Sequence, residues 1–125
     1  MSSDVLSSFE KALSKLSQAL EAEKTELNRD AAIQRFEFSY ELMWKSIKKE
    51  LAGEGLVCQS PKSCFKEAFA QGWINDEKPW IEMLNDRNLT THTYDEELAQ
   101  KVFVALPRYC ELMAGMLQHL RLSKN

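Results

Sequence analysis

The sequence predicts an all-α fold, an antiparallel up-and-down four-helix bundle with one extra short helix. Three observations predict it. Apolar residues recur at three- and four-residue steps along each long segment, no segment alternates apolar and polar residues as a strand would, and capping or stop residues fall at the joints. A length of 125 residues with 44% hydrophobic content suits a single domain, 1–125, with a genuine core.

Val5, Phe9, Leu13, Leu16 and Leu20 form one apolar stripe among Ser, Lys and Glu, which predicts a first amphipathic helix from Val5 to about Glu26. Ile33, Phe36, Tyr40, Met43, Ile47 and Leu51 form the second, expected to begin after Asn28 or Asp30 and to stop at Gly53 and Gly55. Ser60-Pro61 reads as an N-cap followed by proline at the first helical position, and Gly72 closes this short third helix, whose apolar side is Cys64, Phe65, Ala68 and Phe69. Asn75-Asp76 caps a fourth, from about Glu77 through Pro79, Trp80, Met83 and Leu84 into the Arg87 region. Thr93 and Glu96 have the spacing of a capping box for a long last helix, with Leu98, Val102, Ala105, Tyr109, Leu112, Met116 and Leu120 on its buried face and a kink expected at Pro107. Three long helices and one divided helix account for the bundle.

A formal net charge of -3 and a pI near 5.4 argue against a broadly basic nucleic-acid surface, so any RNA contact has to be local. No apolar run approaches the roughly 20 residues that span a bilayer, and the start of the chain lacks a basic-then-apolar signal pattern, so no membrane contact and a cytoplasmic location are expected. Cys58, Cys64 and Cys110 are odd in number without paired C-x-x-C spacing, and are read as ordinary thiols rather than a disulfide framework or zinc site. No metal site and no cofactor are expected. Lys45, Lys48 and Lys49 read as a solvated helix face, and the Trp and Phe residues at helical spacing as core.

The stretch Arg87-Asn88-Leu89-Thr90-Thr91-His92-Thr93-Tyr94 carries the chemistry. Arginine brings a fixed charge with a fork of donors for phosphate oxygens, histidine moves protons near neutral pH, and tyrosine offers a hydroxyl for modification. Together they point to phosphate-ester chemistry. Taken singly, a histidine ahead of a capped helix is more often structural, and Arg87 has ion-pair partners at hand in Asp86, Glu82 or Asp95. On a continuous helix Arg87 and His92 project about 140° apart, so one copy does not make a tight face. A symmetric dimer could set each arginine near the opposite histidine.

The segments Arg35 to Lys45, Ser60-Pro61-Lys62, Glu67-Ala68-Phe69 and Met83 to Asp95 resemble the nucleotidyltransferase substrate-binding protein family, in the same order and over nearly the whole chain. That family resembles the HEPN helical bundles, whose members pair with a separately encoded minimal nucleotidyltransferase. The resemblance implies that Arg87, Asn88 and His92 are the functional positions and that Tyr94 completes the extended motif. In ribonuclease members the histidine and arginine act on the RNA backbone without metal, and in toxin-antitoxin pairs the transferase adenylylates the tyrosine.

Two functions follow as expectations. The first is a homodimeric nucleotide- or substrate-binding partner of a minimal nucleotidyltransferase in a toxin-antitoxin system. The second is a metal-independent ribonuclease in which His92 transfers protons, Arg87 stabilises the charged phosphorane, Asn88 orients the phosphate, and adenylylation of Tyr94 switches the enzyme off.

Overall fold

The computed structural model describes residues 4–123, and all of the regular structure among them is helical. In chain order the helices are α1 (Val5–Glu21), α2 (Glu26–Gly53), α3 (Pro61–Ala70), α4 (Lys78–Leu89) and α5 (Glu96–Ser123), with a 3-10 turn at Thr90–His92 between the last two. The long helices α1, α2 and α5 pack on one another, while α3 and α4 together complete the bundle against α2 and α5. No described helix is long and apolar enough to cross a membrane.

The core follows the apolar stripes. Phe9, Leu13 and Leu16 of α1 meet Ile33, Phe36, Tyr40, Met43, Ile47 and Leu51 of α2, all buried as the periodicity predicts. On α5 the buried line runs Val102, Leu106, Tyr109, Met113, Met116 and Leu120. Ala99, Leu106 and Met113 therefore take the places expected of Leu98, Ala105 and Leu112, which are only half-buried, because α5 contacts α1, α2 and α4 on more than one side. α5 runs on through Pro107 as one helix. Aromatic rings join the layers: Phe36 stacks on Tyr109 at 5.6 Å between centroids, and Phe65 meets Tyr40 at 6.0 Å and Trp80 at 5.3 Å. Phe38 and Phe69 depart from the expected core role and stand exposed.

Gly55 and Gly72 end α2 and α3 with φ of 80° and 83°. Each sits where the chain turns back on itself: Gly55 N donates to Ala52 O and Leu56 N to Leu51 O, and Gly72 N donates to Phe69 O and Trp73 N to Ala68 O. This paired pattern requires the left-handed conformation that glycine adopts without strain.

Three local expectations are corrected. α1 stops at Glu21, not near Glu26, and α2 starts at Glu26 rather than beyond Asn28, because Thr25 Oγ1 accepts from Asn28 N at 3.1 Å and Asn28 Nδ2 closes the turn onto Glu23 O at 2.7 Å. Thr93 does not cap α5. Its hydroxyl donates to Thr90 O, whereas Asp95 Oδ1 accepts from Glu97 N at 2.9 Å and Leu98 N at 3.3 Å. Cys58 and Cys64 form a disulfide that ties the loop after α2 to the first turn of α3, and Cys110 alone is a free thiol. Spacing could not reveal the pair, since the capped turn at Ser60-Pro61 is what brings the two within 5.1 Å between Cα atoms.

Candidate functional site

Arg87 and Asn88 lie in the last turn of α4, His92 ends the 3-10 turn, and Tyr94 stands in the turn before α5 rather than in its first turn. Two anchors hold this segment. Asp86, buried at 8% exposure, accepts from the Tyr109 hydroxyl at 2.5 Å and lies 3.7 Å from Lys101 Nζ, which fixes the end of α4 against α5. Burial first, then the Asp86 carboxylate, pushes the Tyr109 hydroxyl well above its usual range, so it remains a donor.

The second anchor is Arg29, which the sequence reading left out. Its Nη1 and Nη2 donate to the two Glu96 oxygens at 3.2 and 2.9 Å, and its Nε donates to Asp30 at 3.1 Å. A two-pronged arginine-carboxylate pair fixes orientation as well as distance. It holds the first residue of α5, two positions after Tyr94. The hydrogen bond from Arg29 holds the Glu96 carboxyl below the ordinary carboxylate range. The apolar pattern of α2 does not set Arg29 apart, and only the packing of α5 brings it to 9% exposure.

Arg87 turns toward α2. Nη1 donates to Thr90 Oγ1 at 3.1 Å and lies 3.7 Å from Glu37 Oε2, and Nη2 lies 3.8 Å from Glu41 Oε2. Thr90 Oγ1 in turn sits 2.8 Å from Glu37 Oε2, so hydroxyl, guanidinium and carboxylate form one linked group. The ion-pair partners considered from sequence were Asp86, Glu82 and Asp95. Asp86 instead serves Tyr109 and Lys101, Glu82 pairs with Arg108 at 3.1 Å, and Asp95 caps α5. A signal was present in Glu37 and Glu41, two like charges one turn apart on α2 that gain from a cation between them.

His92 is exposed, and its Nδ1 lies 3.1 Å from the hydroxyl of Tyr94, itself 83% exposed. The two rings meet edge to face, 5.8 Å apart and inclined at 77°. Asn88 is exposed, and its backbone carbonyl accepts from Thr91 Oγ1 at 3.3 Å. The fold thus brings His92 and Tyr94 into contact. Arg87 is joined to Thr90, Glu37 and Glu41, and among the described residues its hydrogen bonds and ion pairs are separate from those of His92. No group of three His, Cys, Asp or Glu residues among those described is placed to hold a metal ion.

Residues 4–122 match the family described as nucleotidyltransferase substrate binding protein like. A crystal structure of a protein from Thermus thermophilus superposes with a TM-score of 0.86 at 41% identity, covering 90% of this chain and 98% of that one. A Haemophilus influenzae structure, described as revealing the fold of a substrate binding domain of a nucleotidyltransferase, superposes with a TM-score of 0.82 at 27% identity, covering 93% and 98%. The Haemophilus influenzae protein named Probable ribonuclease HepT is 34% identical over 95 residues, which are 72% of this chain and 65% of that protein. The match therefore spans slightly less than two thirds of that curated relative.

Proposed function

Because this chain belongs to the nucleotidyltransferase substrate binding protein like family, we propose that it is the helical subunit of a two-component system whose catalytic subunit is a separately encoded minimal nucleotidyltransferase. The observation that carries the reading is the family match over residues 4–122, and the Haemophilus influenzae substrate-binding domain with the same bundle supports it. In this reading the protein works in the cytoplasm as one half of a toxin-antitoxin pair. It is a homodimer in which Arg87 and His92 of the two copies approach one another, since one copy carries the motif once and an isologous interface doubles it. Co-expression with the nucleotidyltransferase encoded beside it should give one co-eluting complex. Two separate peaks would remove the reading.

A second reading is a metal-independent ribonuclease, favoured by the relative named as a ribonuclease. His92 would transfer protons between the attacking hydroxyl, the leaving oxygen and water, Arg87 would stabilise charge on the phosphorane, and Asn88 would orient the phosphate. The 3.1 Å contact between Tyr94 Oη and His92 Nδ1 supports a role for Tyr94 as an adenylyl acceptor under either reading. Its oxygen would attack the α-phosphorus of ATP, pyrophosphate would leave, and the hydroxyl proton would pass to solvent. The added phosphate would stand where Tyr94 now meets His92 and would bring negative charge to the ring. Incubation of the purified pair with ATP and magnesium should add adenylyl mass to the Tyr94 peptide. An unchanged gain in Tyr94→Phe would defeat that assignment.

A further inference from the structure

A cleft of about 240 Å³ lies between α2, the first turn of α3 and the last turn of α4, with Arg87 and Asn88 on one wall and Ser60 and Lys62 on the other. Tyr40 also lines it. The Tyr40 side chain is 2% exposed and its ring is held by Phe36 and Phe65, yet among the described residues its hydroxyl has no hydrogen-bond partner. The hydroxyl oxygen is not fully enclosed, so its open side is available to a ligand, whereas Arg87 Nε beside it is a buried donor with no hydrogen-bond partner, a state rare in folded proteins. Tyr40, Glu41 and Arg87 line the same cleft, and the charges of Arg87 and Glu41 act on the hydroxyl in opposite directions. Burial raises its pKa well above the usual tyrosine range, so it enters the cleft as a donor.

Lys62 and Arg87 bring further donors to the cleft. Lys62 is exposed and makes no ion pair among the described residues. It is the second residue of α3, where a backbone N–H has no partner within the helix, and Ser60 Oγ is already committed to the Ser63 amide at 3.2 Å. Arg87 Nη2 has only the 3.8 Å contact with Glu41, which is beyond hydrogen-bonding distance. Glu41 is the one carboxylate lining the cleft, and it also holds Lys45 at 3.9 Å and accepts from Trp44 Nε1 at 3.4 Å, so it has other partners when Arg87 is taken by a ligand.

We infer that this cleft is a phosphate-binding subsite, seating the phosphate group of a nucleotide against Arg87 with Tyr40 and Lys62 as further donors. A tetrahedral phosphate directs oxygens toward both walls and toward Tyr40, and the amide end of α3 favours an anion. The inference rests on the reading of Arg87 as part of the functional site, and adds Tyr40 and Lys62 to it.

Amide-resolved NMR titration of the full chain tests it, with adenosine monophosphate and a short oligouridylate as probes and inorganic phosphate as competitor. The Lys62 and Asn88 amides should shift with at least one probe, and inorganic phosphate should reverse the shift. Tyr40→Phe and Lys62→Gln should each weaken binding about tenfold, the loss of one hydrogen bond to a charged group. Tyr40→Phe should melt no lower than the parent, since it removes an unpaired hydroxyl and keeps the ring. Lys15→Gln, outside the cleft, should leave affinity unchanged. Tighter binding of the oligouridylate would identify an RNA strand as the source of the phosphate, and tighter binding of the monophosphate a free nucleotide. Probe binding without co-elution of the nucleotidyltransferase would remove the two-component reading and keep the subsite. Absence of shifts with both probes at millimolar concentration, or equal affinity in both cleft variants, overturns the inference even where co-elution persists.

Discussion

Removing the Tyr109 hydroxyl tests whether the end of α4 is held by a buried, charge-assisted hydrogen bond. The Oη–Oδ2 distance to Asp86 is 2.5 Å, with Tyr109 at 3% and Asp86 at 8% exposure. In Tyr109→Phe the ring keeps its stack on Phe36, so the loss is the hydrogen bond and the exposure of an unsatisfied carboxylate, with little packing change. Lys101 still lies 3.7 Å from the other Asp86 oxygen, but its side chain is 62% exposed and compensates little. The expected cost is about 1.5–3 kcal/mol, the range for a hydrogen bond to a charged group. With a urea slope of roughly 2 kcal/mol per molar, the unfolding midpoint should fall by about 1 M. The same substitution in an Asp86→Ala background should cost less than about 0.5 kcal/mol, because the partner is already gone. An unshifted midpoint in the single variant, or equal losses in both backgrounds, would refute the anchor.

Three further outcomes follow from the same geometry. Arg29 depresses the Glu96 pKa, so this contribution to stability is complete above the unfolded carboxylate value of about 4.3 and fades as pH falls through the lower folded value. The melting gap between the parent and Glu96→Gln should accordingly be constant near neutrality and close in acid, and a gap that persists unchanged into acid would argue against the pair. Reduction of Cys58–Cys64 opens a short loop and should cost about 2 kcal/mol by loop-closure entropy, read as a lower melting temperature together with two additional alkylated thiols by mass; full alkylation without reductant would exclude the disulfide. If the protein cleaves RNA by the proposed route, His92→Ala should slow cleavage by about 10² to 10⁴, while EDTA leaves the rate unchanged, and chelator-sensitive cleavage would point to another mechanism.

Helix identity was legible because it is a one-dimensional property. Ile33 to Leu51 repeats at helical steps, and every member of that stripe is buried, since a stripe of that width has to face a core. Caps were legible only where one residue competed for the role. Ser60 caps α3 as its sequence suggests, but the start of α2, expected after Asn28 or Asp30, is capped by Thr25, and the start of α5, expected at Thr93, is capped by Asp95. Which hydroxyl or carboxylate wins depends on the path of the preceding turn, and that path is set by packing.

The Arg87 to Tyr94 motif was likewise visible as a run of residue types, including the neighbours His92 and Tyr94, which are two apart in the chain and meet in space. The environment of Arg87 was not, because Glu37 lies 50 residues away along the chain and is brought to it by the packing of α2 beside α4. The same holds for Arg29 with Glu96, Asp86 with Tyr109, and Tyr40 with Lys62 in one cleft. By itself the sequence determined the helices, their apolar faces and the motif, since periodicity and local hydrogen bonding act within a few residues. Tertiary structure decided which charges are paired and which donors are left open, because Coulomb interaction and burial depend on distance through space rather than along the chain.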